Sequence, residues 1–291
     1  MNYIELFIDT QKRIINSIEL NLLTLKAVDS TKLYNERFKS MKAPQYPKST
    51  ISVEEGLTLQ AAKELSQQYT RVAILNFANP IEPGGGVARG ANAQEEYICR
   101  ASNLYNCLVS ENAKLYYETN RNLLRNCKYE YFVSSDLVLY SPNVTVFRED
   151  SMQYSVAKDM VEYTDQVYSE DWYEIDIITC AAPYHKQYTE GTDVAMTKIF
   201  HSRIRNILET AIDNDVDALV LGAFGCGAFH NSPYLVADAF RVVLYEERYR
   251  RSFKKIVFKI KRTDWFCKNM EAFEMAFCVL SPENNKRRFF E

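Results

Sequence analysis

The sequence predicts an α/β fold, a central sheet with helices on both faces. Three observations carry this. Five short apolar runs read as core strands: Val72–Phe77, 137–147 (broken at Ser141-Pro142), 175–180, Ala218–Leu221 and 256–260. Helical apolar periodicities separate several of them. The runs also lack strict apolar–polar alternation, the pattern of strands covered on both sides.

In chain order, residues 4–25 carry a helical periodicity. Ile15, Ile18, Leu22 and Leu25 stand at i, i+3, i+7 and i+10 as the expected buried set, with Ile14 bordering the stripe. Residues 1–50 are therefore expected as a helical extension capping a domain that spans 51–291. The stretch 42–52, with Pro44 and Pro47, reads as a loop. Residues 57–68 read as a helix with Leu57, Ala61 and Leu65 on one face. A helix over 94–108 places Ile98, Ala101, Leu104 or Tyr105, and Leu108 inward. Another over 194–212 buries Ile199, Ile204, Ile207, Leu208 and Ile212. Helices over 235–244 and 270–277 complete the set, and the Tyr-rich stretch 149–173 reads as an inserted surface loop or short helix. No internal repeat or linker divides the chain.

Composition narrows the functional classes. The 291 residues are 47% apolar and 25% charged, an ordinary globular mixture that excludes disorder as the main state. Lys plus Arg number 35 and Asp plus Glu 38, a formal charge of −3. Bulk charge therefore does not hold a polyanion, and an anionic ligand needs a local site. No run reaches the roughly 18 apolar residues of a membrane helix. The first residues lack the pattern of a secretory signal. The seven scattered cysteines then read as reduced thiols, and a cytoplasmic location is expected. No Cys or His pair has zinc-ligand spacing, so neither metal nor cofactor is expected. No coiled-coil stretch is present, and a monomer is expected.

Glycine placement is the most informative feature. Of nine glycines, four fall in 84–90 and three in 222–227. Two tight turns would need one or two each; three in a row at Gly84, Gly85 and Gly86 exceed that need and point to ligand-binding loops. Both windows follow an expected strand and lead into a helix, where open α/β sheets bind ligands. Backbone N–H groups there can hold phosphate without lysine. Neither window is a P-loop, and neither matches the dinucleotide fingerprint.

Gln94, Glu95 and Glu96 open the helix after the triple glycine. A glutamate in a first helical turn complements the helix dipole and needs no further role. At the mouth of a glycine loop it can equally perform acid–base chemistry on a glycosidic bond, without metal. Asn79, just past the strand end, either caps a turn or binds sugar hydroxyls. Phe224 and Phe229 flank the second loop. Phe229, in the turn itself, is the better candidate to pack on a ligand.

The arrangement of Gly84-Gly85-Gly86, seven residues and Gln94-Glu95-Glu96 resembles the signature of poly(ADP-ribose) glycohydrolases. Leu75-Asn76-Phe77-Ala78-Asn79 before it and Cys99-Arg100-Ala101-Ser102-Asn103-Leu104-Tyr105 after it resemble the bacterial, microbial-type branch. So do Tyr140-Ser141-Pro142-Asn143-Val144, Thr179-Cys180-Ala181-Ala182-Pro183 and the stretch from Leu221 to Phe229. The likeness runs in order over about residues 50–280. It implies a macrodomain-like mixed sheet flanked by helices, with a helical N-terminal extension. It implies hydrolysis of the ribose–ribose bond of poly(ADP-ribose), or of an ADP-ribosylated macromolecule, with ADP-ribose as product. Glu96 would be the catalytic acid, and Glu95 would orient the sugar hydroxyls. Asn79 and Gln94 would border the ribose. Gly84, Gly85 and Gly86 with Gly225, Cys226, Gly227, Ala228 and Phe229 would wrap ribose and diphosphate. Two departures stand out: Phe224 where tryptophan is frequent, and His230 where a small residue, often glycine, is usual. The cations of 258–262 also differ from the family text, and either contact nucleotide phosphate or solvate an edge. The alternatives are an ADP-ribose-binding module without turnover, and a hydrolase of another ADP-ribosyl linkage on protein or nucleic acid.

Overall fold

A computed structural model describes residues 2–127, 134–148, 171–184, 192–261 and 267–277. The chain begins with helices α1 (Tyr3–Asn16) and α2 (Ile18–Ser30), then strands β1 (Lys32–Tyr34) and β2 (Thr50–Glu55). Helix α3 (Thr58–Ser66), strand β3 (Val72–Phe77), a 3-10 turn (Val87–Arg89) and helices α4 (Gln94–Ala101), α5 (Leu104–Leu108) and α6 (Glu111–Arg125) follow. The second half runs β4 (Val138–Val146), β5 (Tyr173–Cys180), α7 (Thr192–Asp213), β6 (Ala218–Leu221), α8 (Pro233–Leu244), α9 (Glu247–Arg250), β7 (Lys255–Ile260) and α10 (Cys267–Phe277).

Among the described residues the strands form one seven-stranded sheet in the order β1-β4-β5-β3-β6-β7-β2. The five strands from β5 to β2 are parallel; β4 runs antiparallel to β5, and β1 antiparallel to β4. The sheet is thus mixed. The interior strands are apolar on both faces, because each alternate side meets its own layer. Ala73 and Leu75 of β3 join Ile178, Leu219 and Phe258 against α7, α8 and α10. Val72 and Ile74 join Ile177, Val220 and Val257 against α3, α4 and α6. The expected break at Ser141-Pro142 is a bulge within a continuous β4, where the register shifts between Ser141 and Val144. Asp176 fills the bulge. It is 3% exposed, accepts from Asn143 N (2.9 Å) and Arg71 Nε (2.6 Å), and receives the Tyr140 hydroxyl.

The first 50 residues are not helical throughout: β1 lies inside them and supplies an edge of the sheet. The expected apolar stripe on the N-terminal helix is also corrected. Ile15, Ile18, Leu22 and Leu25 are exposed, at 72%, 82%, 62% and 52%. Ser17 has extended backbone and divides the stretch into two helices, so a periodicity counted across it loses its phase. The buried set is Leu6, Phe7, Thr10 and Ile14 on α1, and Leu20, Thr24 and Ala27 on α2. The expected helix over 94–108 likewise divides at Ser102 and Asn103, whose side chains bond to backbone: Ser102 Oγ donates to Ile98 O, and Asn103 Oδ1 accepts from Thr145 N. The insert at 149–170, Arg262 and His185 lie outside the described residues. No helix among the described residues is long and apolar enough to cross a membrane.

Candidate active site

Parallel pairing of β3 with β6 brings their carboxyl ends together, so the two glycine windows face each other across one end of the sheet. A cleft of about 480 Å³ opens there. Its walls include Asn79, Gln94, Glu95 and Glu96 on one side and Gly225, Gly227, Ala228 and Phe229 on the other. A third wall, from Gly56 to Thr58 and Lys259 to Lys261, closes the end nearest β2 and β7.

The two carboxyl groups are held by three backbone N–H groups and one side-chain amide. Glu96 is the third residue of α4 and reaches back to the helix entrance. Its Oε2 accepts from Ala93 N (3.1 Å) and its Oε1 from Gly86 N (2.9 Å). A glutamate at this helix position satisfies a free N–H at the helix start and complements the dipole. Glu95 is 3% exposed. Its Oε2 accepts from Asn79 N (2.7 Å) and its Oε1 from Asn76 Nδ2 (3.3 Å). Burial, opposed by the Asn79 N–H and helped by the charge of Glu96, pushes the Glu95 carboxyl up to about 8. The site thus pairs a buried carboxyl whose pKa is raised with a second carboxyl group in a fixed orientation beside the cleft.

The triple glycine serves those carboxylates. Gly84, Gly85 and Gly86 are not among the residues lining the cleft. Gly85 has φ +57°, and a β-carbon on it would collide with Glu96. Gln94 lines the cleft, yet its carboxamide is engaged with β3. Phe77 N donates to Oε1 (2.8 Å), and Nε2 donates to Leu75 O (2.8 Å). It pins the helix start to the strand end. Asn79 Oδ1 accepts from Ile81 N and Glu82 N, which is the turn-capping role.

The second loop is built differently. Gly225 has φ +75°, and a β-carbon there would stand 2.4 Å from Ala182 Cβ. Asn231, 5% exposed, ties the loop down: its Nδ2 donates to Pro183 O (2.8 Å) and Gly225 O (2.9 Å). The N–H groups of Gly225, Gly227, Ala228 and Phe229 donate to no acceptor among the described residues. Several such groups on one turn form an anion-binding concavity. Cys226 is buried at 8% and lies off the cleft wall. Phe224 is a core residue, 0% exposed, packed on the Phe77 and Phe200 rings. Phe229 lines the cleft and meets Tyr184 edge-on at 5.8 Å. His230 is exposed and has φ +58°, the conformation in which glycine is usual.

Sequence reasoning missed Asn76, Asn231 and the 56–58 part of the third wall; of the cations in 258–262 it left open whether they meet nucleotide phosphate or solvent, and Lys259 and Lys261 line the cleft. Asn76 and Asn231 act on backbone and buried carboxyl groups, and neither stands in a glycine window. The third wall comes from 56–58 and 259–261, more than 200 residues apart in the chain and joined only by the β2–β7 pairing.

Residues 9–149 match the family model described as microbial-type PARG, catalytic domain. The fold is similar to that of the poly(ADP-ribose) glycohydrolase from Thermomonospora curvata, at 26% identity and a TM-score of 0.78, covering 94% of this chain and 99% of that one. The same bacterial protein bound to the inhibitor ADP-HPD gives 27% identity, a TM-score of 0.75 and the same coverage. The poly(ADP-ribose) glycohydrolase from Deinococcus radiodurans in complex with ADP-ribose gives 27% identity and a TM-score of 0.70, covering 88% of this chain and 97% of that one. A search of curated proteins finds no significant match.

Proposed function

We propose that this chain, a homologue of the microbial-type poly(ADP-ribose) glycohydrolases, hydrolyses the ribose–ribose O-glycosidic bond of poly(ADP-ribose) and releases ADP-ribose. The observation that carries the proposal is the Glu96 carboxyl group, held by two backbone N–H groups at the wall of a cleft whose opposite wall carries free N–H groups.

In this reading the terminal ADP-ribose unit lies across the cleft. Its diphosphate accepts from the N–H groups of the 225–229 turn, which suits a protein of net charge −3. Phe229 packs on the distal ribose. The wall of Gly56, Leu57, Ile260 and Lys261 is left for the adenosine. Glu96 then serves as acid and base in turn. Glu96 enters the reaction protonated from solvent, and as the bond from the anomeric carbon to the leaving ribose oxygen breaks it gives that oxygen its proton. The positive charge developing on the ring is favoured by the carboxylate that proton donation leaves at Glu96. The Glu96 carboxylate next takes a proton from water, whose oxygen bonds to the anomeric carbon, and the acid is restored. Glu95, with its proton, donates and accepts at the ribose hydroxyls.

The proposal extends to a monomer acting in the cytoplasm, on the grounds of the reduced cysteines and the lack of a coiled-coil stretch. The direct test is incubation of poly(ADP-ribosyl)ated protein with the purified chain. ADP-ribose should appear as product. Tight binding of ADP-ribose with no release from the polymer would instead identify a binding module.

A further inference from the structure

Helix α1 stands behind the carboxylate loop and touches it repeatedly. Arg100, in the last turn of α4, is 1% exposed. Its Nη1 donates to Ala91 O (2.6 Å) and its Nη2 to Asn92 Oδ1 (2.7 Å). The Tyr3 ring covers the guanidinium at 4.5 Å. Asn92 Nδ2 donates to the Tyr3 hydroxyl at 2.9 Å, and Thr10 Oγ1 donates to Arg100 O at 2.6 Å. The next residue after Asn92 is Ala93, whose N–H holds Glu96 Oε2. Farther along the same loop, Ile4 abuts Gly90, and Phe7 packs edge-on against Tyr105, whose ring lies against Gly84.

We propose that α1 is a clamp on the carboxylate loop, with Tyr3 and Arg100 as positioning residues that act on Glu96 through Asn92 and Ala93. The physical need is plain in the loop itself. Residues 84–93 include three glycines at positive φ and only one short 3-10 turn, so the segment has much conformational freedom to lose. Glu96 keeps its orientation only if the N–H groups of Gly86 and Ala93 stay in place. A buried guanidinium has fixed planar donors, and here it is met by a carbonyl, a carboxamide oxygen and an aromatic face together. Leu6, Phe7, Thr10 and Ile14 continue the face of α1 that carries Tyr3 and, being buried, anchor the clamp to the body of the protein. Tyr3 does not line the cleft, so its effect on the reaction is through position alone.

This inference rests on the hydrolase reading for its kinetic arm and on the structure alone for its second arm. The full-length chain is compared with Tyr3→Ala and Tyr3→Phe. Initial rates on poly(ADP-ribose) give kcat and KM, titration calorimetry gives ADP-ribose affinity, and hydrogen exchange reports the amides of Gly86 and Ala93. Tyr3→Ala should lower kcat about tenfold or more, since a small misplacement of a reacting group is enough for such a loss. ADP-ribose affinity should stay within about twofold, because the diphosphate turn is untouched. The Gly86 and Ala93 amides should exchange faster. Tyr3→Phe keeps the ring over Arg100 and should recover most of the loss. Wild-type kcat and exchange in Tyr3→Ala, or a lowered melting temperature with kcat intact, would overturn the clamp. If the wild type itself releases no ADP-ribose, the hydrolase reading fails, and exchange at Gly86 and Ala93 still decides the clamp.

Discussion

Gly85 sits directly against Glu96: a β-carbon on Gly85 would stand 2.4 Å from Glu96 Oε1, and 3.1 Å from Glu95 Oε2 as well. Real β-carbons do not approach other atoms so closely, so Gly85→Ala must displace the carboxylate or the loop. At φ +57° the alanine also adopts the left-handed conformation, which costs about 1–2 kcal/mol by itself. The variant should remain folded, lose about that much stability in urea unfolding, and lose most of its turnover. Turnover near the wild-type level would mean that the geometry of Glu96 at this loop does not matter to the reaction.

The raised pKa of Glu95 has a consequence for stability. Its ordinary value is 4.5 and the folded value about 8, so the folded state holds a proton that the unfolded state releases across that window. The stabilisation is fully present below pH 4.5 and is lost as pH rises through 8. Glu95→Gln imitates the neutral carboxyl and removes this dependence. Melting temperatures taken at intervals from pH 5 to 8.5 should fall more steeply for the wild type than for Glu95→Gln. Parallel curves would show that Glu95 is already ionised in the folded protein.

Asp176 offers a test of the sheet. Its carboxylate joins β5 to the bulge of β4 and to Arg71 at the entry to β3. Asp176→Ala strands the Tyr140 hydroxyl and the Asn143 N–H without an acceptor. Removing one member of a buried pair costs about 3–5 kcal/mol, and partial exposure of Arg71 argues for the lower end. Urea unfolding of the two proteins measures the difference. A loss below about 1 kcal/mol would mean that water replaces the carboxylate at no penalty.

Much of the fold and the site was legible in the chain, for physical reasons that differ by element. β3, β5, β6 and β7 are buried on both faces, so their apolar runs stand out whatever the register. Gly84, Gly85 and Gly86 were readable because a chain poor in glycine concentrates it where the backbone demands it. Their separate tasks were less readable: Gly85 makes room for the Glu95 and Glu96 side chains, Gly86 donates its N–H to Glu96, and Gly84 lies against the Tyr105 ring. β1 and β2 were missed because edge strands of three and six residues carry little apolar signal. The N-terminal burial pattern was misread because Thr10 and Thr24 occupy interior positions through hydrogen bonds, Thr10 to Arg100 O and Thr24 to Leu20 O, which hydropathy does not record. The third wall of the cleft depends on β2–β7 pairing between chain segments far apart, which no local pattern reveals.

The central claim is that Glu96 performs the acid–base step of ADP-ribose release. The most direct measurement pairs the wild type with Glu96→Gln, reading ADP-ribose release from poly(ADP-ribosyl)ated protein and calorimetric binding of free ADP-ribose on the same preparations. The amide keeps the size of the side chain and one acceptor oxygen but neither gives nor takes the proton. Release should fall by at least about a hundredfold, the lower range for a lost general acid–base group, with ADP-ribose affinity within a few-fold of the wild type. Release by Glu96→Gln at the wild-type rate would contradict the claim and move the proton transfer to another group.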